Sequence, residues 1–138
     1  MVQRNAVYLA GRMTGLGDRG GAWREEAARL LAPLPVLDPL KLELPSHRPQ
    51  DIVCRDVAAI ASSGAVLAYV GRESWGTAME LWVAKQLGVP VFAWVEPGFD
   101  GPLSPWLIYV CGRGVAPEML DAVRAVEAHL YAVTGAQL

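Results

Sequence analysis

Apolar residues fall along this chain in two rhythms, short unbroken runs and longer stretches with helical spacing. Ala6 to Ala10 is a brief apolar run stopped by Gly11, which reads as a buried strand. Ala65 to Val70 and Val89 to Val95 are longer runs of the same kind. Unbroken runs, rather than alternation, suit strands covered by helices on both faces. Val36-Leu37 reads as a further short strand closed by Asp38-Pro39, and Leu107 to Cys111 as a fifth.

Between these runs the spacing changes. Trp23, Ala27, Leu30 and Leu31 mark a helix ending before Pro33. Asp51 to Ala61 carries a stripe of Ile52, Val53, Val57 and Ile60. Asp56 falls inside that stripe, four residues from Ile52 and three from Val53, so a carboxylate is expected on an inward face. Such a group must be hydrogen-bonded, neutralised or used. Thr77 to Leu87 is a helix ending at Gly88, and Pro117 to Val133 is an amphipathic C-terminal helix.

Strands alternating with helices predict an α/β chain. The expected architecture is one flavodoxin-like, doubly wound parallel sheet of about five strands with helices on both faces. No repeat or composition break divides residues 1–138, so one domain is expected. Ligands of such sheets sit beyond the carboxyl ends of the strands. Those ends lead into Gly11–Gly21, a segment with five glycines, and into Gly71–Gly76. The two loops are expected to face one pocket.

Composition narrows the function. The 138 residues are 53% hydrophobic and 19% charged, enough for a core and far from the signature of disorder. Net charge is −2 and the basic residues are scattered, which argues against a polymeric nucleic-acid partner. Cys54 and Cys111 lie far apart, and His47 and His129 join no Cys/His cluster, so neither a metal site nor a cofactor is expected. No apolar run approaches the ~20 residues that span a bilayer, and none near the N-terminus suits a signal peptide. A cytoplasmic protein without a membrane partner is the expectation.

Two segments offer chemistry and an ordinary alternative each. In Gly76-Thr77-Ala78-Met79-Glu80, Thr77 and Glu80 have the spacing of a helix capping box. The same helix start lies at the ligand end of the sheet, where a carboxylate can face the pocket instead. Gly11-Arg12-Met13-Thr14-Gly15 is either a tight loop or a phosphate cradle of backbone N–H groups. It has neither the dinucleotide nor the NTP glycine fingerprint.

Taken together, VYLAGRMTG with Tyr8, DVAAI with Asp56, GTAMEL with Glu80 and the following GVPVFAW resemble the nucleoside 2-deoxyribosyltransferase family. The resemblance runs from about Val7 to Cys111. It implies that Glu80 is the nucleophile, that Tyr8 positions it, and that Asp56 contacts the base and assists proton transfer. A carboxylate attacking the anomeric carbon forms a glycosyl ester, splitting one displacement into two easier ones. The resemblance also implies a homodimer or higher homo-oligomer with shared active sites, acting on a small nucleoside or nucleotide.

The chain departs from the transferase pattern at informative places. Ser74 stands where that branch carries an Asp for the sugar 5′-hydroxyl, and Ser104 where it carries an Asn reaching in from a neighbouring subunit. Both serines resemble the related 2′-deoxynucleoside 5′-phosphate N-hydrolases, in which hydroxyls bind the phosphate. A carboxylate repels a phosphate, whereas serine donates a hydrogen bond without adding charge. Gly11, Arg12, Met13, Thr14, Gly15 and Gly76 are the accompanying candidates for the substrate or its phosphate, although Ser74 and Ser104-Pro105 also suit ordinary turns. Gly64 replaces an Asp found in many relatives, and Trp75 suits either stacking on a base or packing over the helix end. The alternative to an enzyme is a non-catalytic nucleotide-binding or sensing module of the same fold.

Overall fold

The computed structural model describes residues 5–13, 17–18, 20–112 and 114–135. Five parallel strands form one sheet: β1 (Val7–Gly11), β2 (Val36–Leu37), β3 (Ala65–Val70), β4 (Val91–Val95) and β5 (Val115–Ala116). Their spatial order is β2-β1-β3-β4-β5. The chain therefore winds outward from β1 in one direction and from β3 in the other. The resulting switch point lies between β1 and β3, where Tyr8 pairs in register with Val66. The expected doubly wound α/β architecture is the one observed.

Five helices cover the two faces: α1 (Gly21–Leu31), α2 (Pro49–Ser62), α3 (Trp75–Gln86), α4 (Pro105–Cys111) and α5 (Met119–Thr134). Alternation along each strand divides the core. Tyr8 and Ala10 of β1 join Val66, Ala68 and Val70 of β3 beneath Ile60 of α2, Leu81 and Ala84 of α3, and Val110 of α4. Val7, Leu9 and Leu67 point the other way, onto Ala27 and Leu31 of α1 and Val123, Val126 and Leu130 of α5. Each fully buried aliphatic side chain contributes about 1.5–3 kcal/mol. The central strands β1, β3 and β4 hold most of them, which is why they read as unbroken apolar runs. Among the described residues, no helix is long and apolar enough to cross a membrane.

One expected element is of the wrong type. Leu107 to Cys111 is not a strand but most of α4, and the fifth strand is Val115–Ala116 beyond it. Ser104 accepts a hydrogen bond from the Trp106 N–H, and Pro105 occupies the first turn, two features that start a helix. Leu107, Val110 and Cys111 face inward at helical spacing, while Trp106, Ile108 and Tyr109 are exposed. An apolar run that is half solvent-facing cannot be told from a buried strand by hydrophobicity alone.

Helix α3 also begins earlier than expected. Ser74, not Thr77, is the N-cap, and its side-chain oxygen accepts from the Thr77 N–H. Thr77 thereby sits at the third position of the helix, and Glu80 lies beyond the reach of a capping box. The expected stripe on α2 is likewise narrower, because Val53 is 58% exposed.

Candidate functional site

Tyr8 sits inside β1, fully buried, with its ring directed toward α2 and α3. Its hydroxyl donates a hydrogen bond to Glu80 Oε2. Glu80 lies one turn into α3, the helix that follows β3. The parallel crossover from β3 to α3 lays this helix over β1 and β3, so residues at the two ends of the switch point meet. With α3 capped by Ser74, Glu80 is not spent on its own helix terminus and its carboxylate faces the strand.

Burial raises the Glu80 carboxyl to about 7, against an ordinary value of 4.5. The Tyr8 hydrogen bond opposes that rise, the Asp56 charge adds to it, and Arg24 and Arg55 pull it down. Burial likewise pushes the Tyr8 phenol far above its usual range, and the Glu80 charge pushes it further. Tyr8 is therefore a neutral donor, and Glu80 changes charge near neutral pH. A titratable group poised in this range, in contact with an oriented donor, has the properties of a working carboxylate.

Asp56, on α2, completes the acidic face. It is partly buried, and its Oδ1 accepts from Arg55 at 2.9 Å. Its charge bears on both Tyr8 and Glu80. Tyr8, Asp56 and Glu80 thus come together from three elements. Arg55 was not singled out in the sequence, since a charged pair on a helix usually marks a solvated face. Here both side chains are less than one-fifth exposed, and the Arg55 guanidinium also donates to the Leu42 carbonyl.

The loop candidates are placed less uniformly. Gly11 ends β1, and a Cβ there would lie 2.5 Å from the Trp23 ring, so its small size makes room for Trp23. Arg12 forms an ion pair with Glu96 at 2.8 Å, beyond the end of β4. Glu96 also accepts from the Arg72 N–H, so it links the loops after β1 and β3. Met13 is half-buried, and Thr14 and Gly15 lie outside the described residues. Gly76 is exposed in the first turn of α3. Ser74 caps α3 and donates to Thr77 Oγ1 at 2.9 Å, whereas Ser104 caps α4. Trp75 does not pack over the helix end, being 86% exposed.

No protein-family model matches the sequence, and no curated protein is similar to it at sequence level. Solved structures of similar shape do exist. A conserved protein from Enterococcus faecalis V583 superposes with a TM-score of 0.74 at 17% identity, over 91% of this chain and 98% of its own. A 2-desoxiribosyltransferase from Leishmania mexicana gives 0.71 at 19% identity, over 91% of this chain and 99% of its own. A 2-deoxyribosyltransferase from Bacillus psychrosaccharolyticus gives 0.67 at 18% identity, over 91% and 95%. The protein has the 2-deoxyribosyltransferase fold.

Proposed function

We propose that the protein cleaves the N-glycosidic bond of a 2′-deoxynucleoside or its 5′-monophosphate, with Glu80 as nucleophile. The observation that carries this reading is the part-buried hydrogen bond from Tyr8 to Glu80 at the switch point of the sheet. Ionised Glu80 attacks the anomeric carbon, a C–O ester bond forms, and the C–N bond breaks with its electron pair leaving on the base. Asp56, directly or through a water, passes a proton to the departing base. Water or a second base then attacks the same carbon and releases Glu80. Water gives hydrolysis, and a base gives transfer.

Tyr8 keeps the nucleophile aimed and favours its ionised form, as a donor to a carboxylate must. Ser74 and Ser104 favour the 5′-monophosphate and hydrolysis, since neither places a negative charge beside a phosphate. The loop from Gly11 to Gly15, with the Arg12 side chain, and Gly76 at the start of α3 belong to the same substrate site in this reading.

The active unit is a homo-oligomer. Trp75, Met79 and Trp82 expose one face of α3, and Trp106, Ile108 and Tyr109 expose the neighbouring face of α4. Trp82 and Trp106 meet edge to face at 5.8 Å. A contiguous aromatic surface of this kind marks an association site. Ser104 adjoins this surface at the start of α4, which supports a role for its hydroxyl in a partner's site.

Incubation with dAMP, and separately with deoxyadenosine plus free cytosine, tests the reaction. Release of adenine from dAMP alone supports hydrolysis, and exchange of bases supports transfer. A non-catalytic nucleotide-binding module binds these compounds without releasing base. Unimpaired turnover by Glu80→Gln would sink the nucleophile assignment.

A further inference from the structure

Asp56 is held unsymmetrically. Arginine and carboxylate often meet as two parallel forks, with one N–H on each oxygen. Here the Arg55 Nε donates to Asp56 Oδ1 at 2.9 Å, and Nη2 lies 2.9 Å from that same oxygen. Among the described residues, nothing donates to Oδ2. Glu80 repeats the pattern, because the Tyr8 hydroxyl takes Oε2 and no described residue donates to Oε1. Each carboxylate thus has one oxygen held by the protein and one left open.

Helix geometry alone does not explain this pair. Consecutive residues of a helix do not face each other, so the guanidinium has to turn back over its neighbour on α2. A second contact holds it there, since Nη1 donates to the Leu42 carbonyl at 3.4 Å. Leu42 is fixed in turn. The Lys41 and Leu42 N–H groups both donate to the Asp38 carbonyl, at 2.9 and 3.1 Å. The Leu42 side chain packs against the core cluster that contains Tyr8 and Ile60. The guanidinium therefore bridges Asp56 and the loop after β2, with only 16% of the Arg55 side chain exposed. Ordering a long side chain costs entropy, and partly burying an ion pair costs solvation. Stability alone is a poor reason for an arginine tied at both ends.

We propose that Arg55 is a positioning residue, which locks Asp56 by Oδ1 so that Oδ2 stays open to the base of the substrate. Packing and hydrogen bonds behind a working group are what keep it in its productive geometry. The kinetic part rests on the N-glycosidase reading; the locking of Asp56 does not. In that reading Oδ2 passes a proton to the base as the C–N bond breaks and its electron pair leaves on the base. The negative charge left on the carboxylate then falls beside a guanidinium already in place.

Two measurements on the whole chain test the role. The first needs no turnover, because three-bond NMR couplings report the Asp56 χ1 rotamer in the ligand-free protein. The parent is expected to show one staggered rotamer, and Arg55→Met an average over several. A rotamer fixed equally in both proteins overturns the proposal, and so does averaging already present in the parent. The second compares dAMP with nitrophenyl 2-deoxyriboside 5′-phosphate, whose leaving group departs without a proton. Arg55→Met is expected to lower kcat on dAMP at least ~10-fold and kcat on the nitrophenyl compound less than ~3-fold, with KM for both little changed. A purely structural arginine predicts equal losses. Equal losses on the two compounds, or none on dAMP, overturn the proposal. Should Arg55→Met fail to fold, Arg55→Lys replaces it in both measurements, since lysine keeps the charge without the planar fork. A parent that releases no base, with the rotamer contrast present, sinks the N-glycosidase reading and leaves the positioning role standing. Base release without the rotamer contrast does the reverse.

Discussion

Tyr8 and Glu80 are 72 residues apart in the chain and share a hydrogen bond. One is inside the first strand, and the other is on the helix after the third. The pairing arises because β1 and β3 are neighbours in the sheet while α3 crosses back over both. Neither residue is unusual alone, since tyrosine is common in strands and glutamate in helices. Together they place a carboxylate of raised proton affinity beside a donor that stays neutral.

Tyr8→Phe removes that donor with little change in shape. A hydrogen bond to a charged group is worth about 1.5–3 kcal/mol, so the Glu80 midpoint should climb by roughly 1–2 pH units above its value of about 7. In the proposed mechanism only ionised Glu80 attacks, so the acid limb of the pH–rate profile should move up equally. Turnover at pH 7 should fall about 5–50-fold and recover partly at pH 9. A loss independent of pH would instead assign Tyr8 to substrate contact alone.

Glu80→Gln should abolish turnover and stabilise the fold. Burial raises the folded carboxyl from 4.5 to about 7. The folded state then binds the proton more tightly than the unfolded one. Stability is full below pH 4.5 and is lost as pH rises through 7, by about 3 kcal/mol. Glutamine stays neutral and escapes the loss. Thermal melts should show the variant several degrees above the parent at pH 8, with the gap closing by pH 4.5. An equal gap at both pH values would contradict the linkage.

Much of this arrangement was legible beforehand, for identifiable reasons. Strands β1, β3 and β4 are buried on both faces, and their unbroken runs announce it. The parallel, doubly wound sheet followed from strands alternating with helices. Leu107 to Cys111 misled because a short apolar run has the same composition in either conformation, and the cue lay outside it, in Ser104-Pro105. The Thr77–Glu80 spacing fitted a capping box, but Ser74 upstream captured the helix start and released Glu80. Arg24 was missed although its spacing to Ala27 and Leu31 follows the buried face of α1. An arginine within an apolar stripe was a signal of the same kind as Asp56. Ion pairs such as Arg12 with Glu96 depend on which strand ends become neighbours, and no local pattern encodes that.

Ser74 caps α3, and the proposed function gives it a second duty that substitution can separate. Ser74→Ala removes the cap that accepts from the Thr77 N–H, and should cost about 1 kcal/mol of stability. Ser74→Asp keeps a good cap and brings a negative charge to the start of α3. In the phosphate reading it should leave the melting temperature near that of the parent and raise KM for dAMP at least ~10-fold. KM for deoxyadenosine should change little. Equal effects on the two substrates would remove Ser74 from the phosphate site.

The aromatic face of α3 and α4 supplies a test of assembly that does not depend on the chemistry. Trp106 is 71% exposed in the single chain, and Trp75 more so. Large aromatics in contact on a surface are costly to leave in water and are typical anchors of interfaces. A two-fold contact would set this face against its own copy, as self-complementary interfaces do. The parent should therefore sediment as a dimer or larger species at micromolar concentration. Trp106→Asp places an unpaired charge at that contact while leaving Leu107, Val110 and Cys111 in the core, and should give a folded monomer. If Ser104 serves a partner's site, the monomer should also lose most of its turnover on dAMP, despite an intact Tyr8–Glu80 pair. A parent that sediments as a monomer would refute the shared site, and a monomeric variant with full turnover would show that each chain works alone.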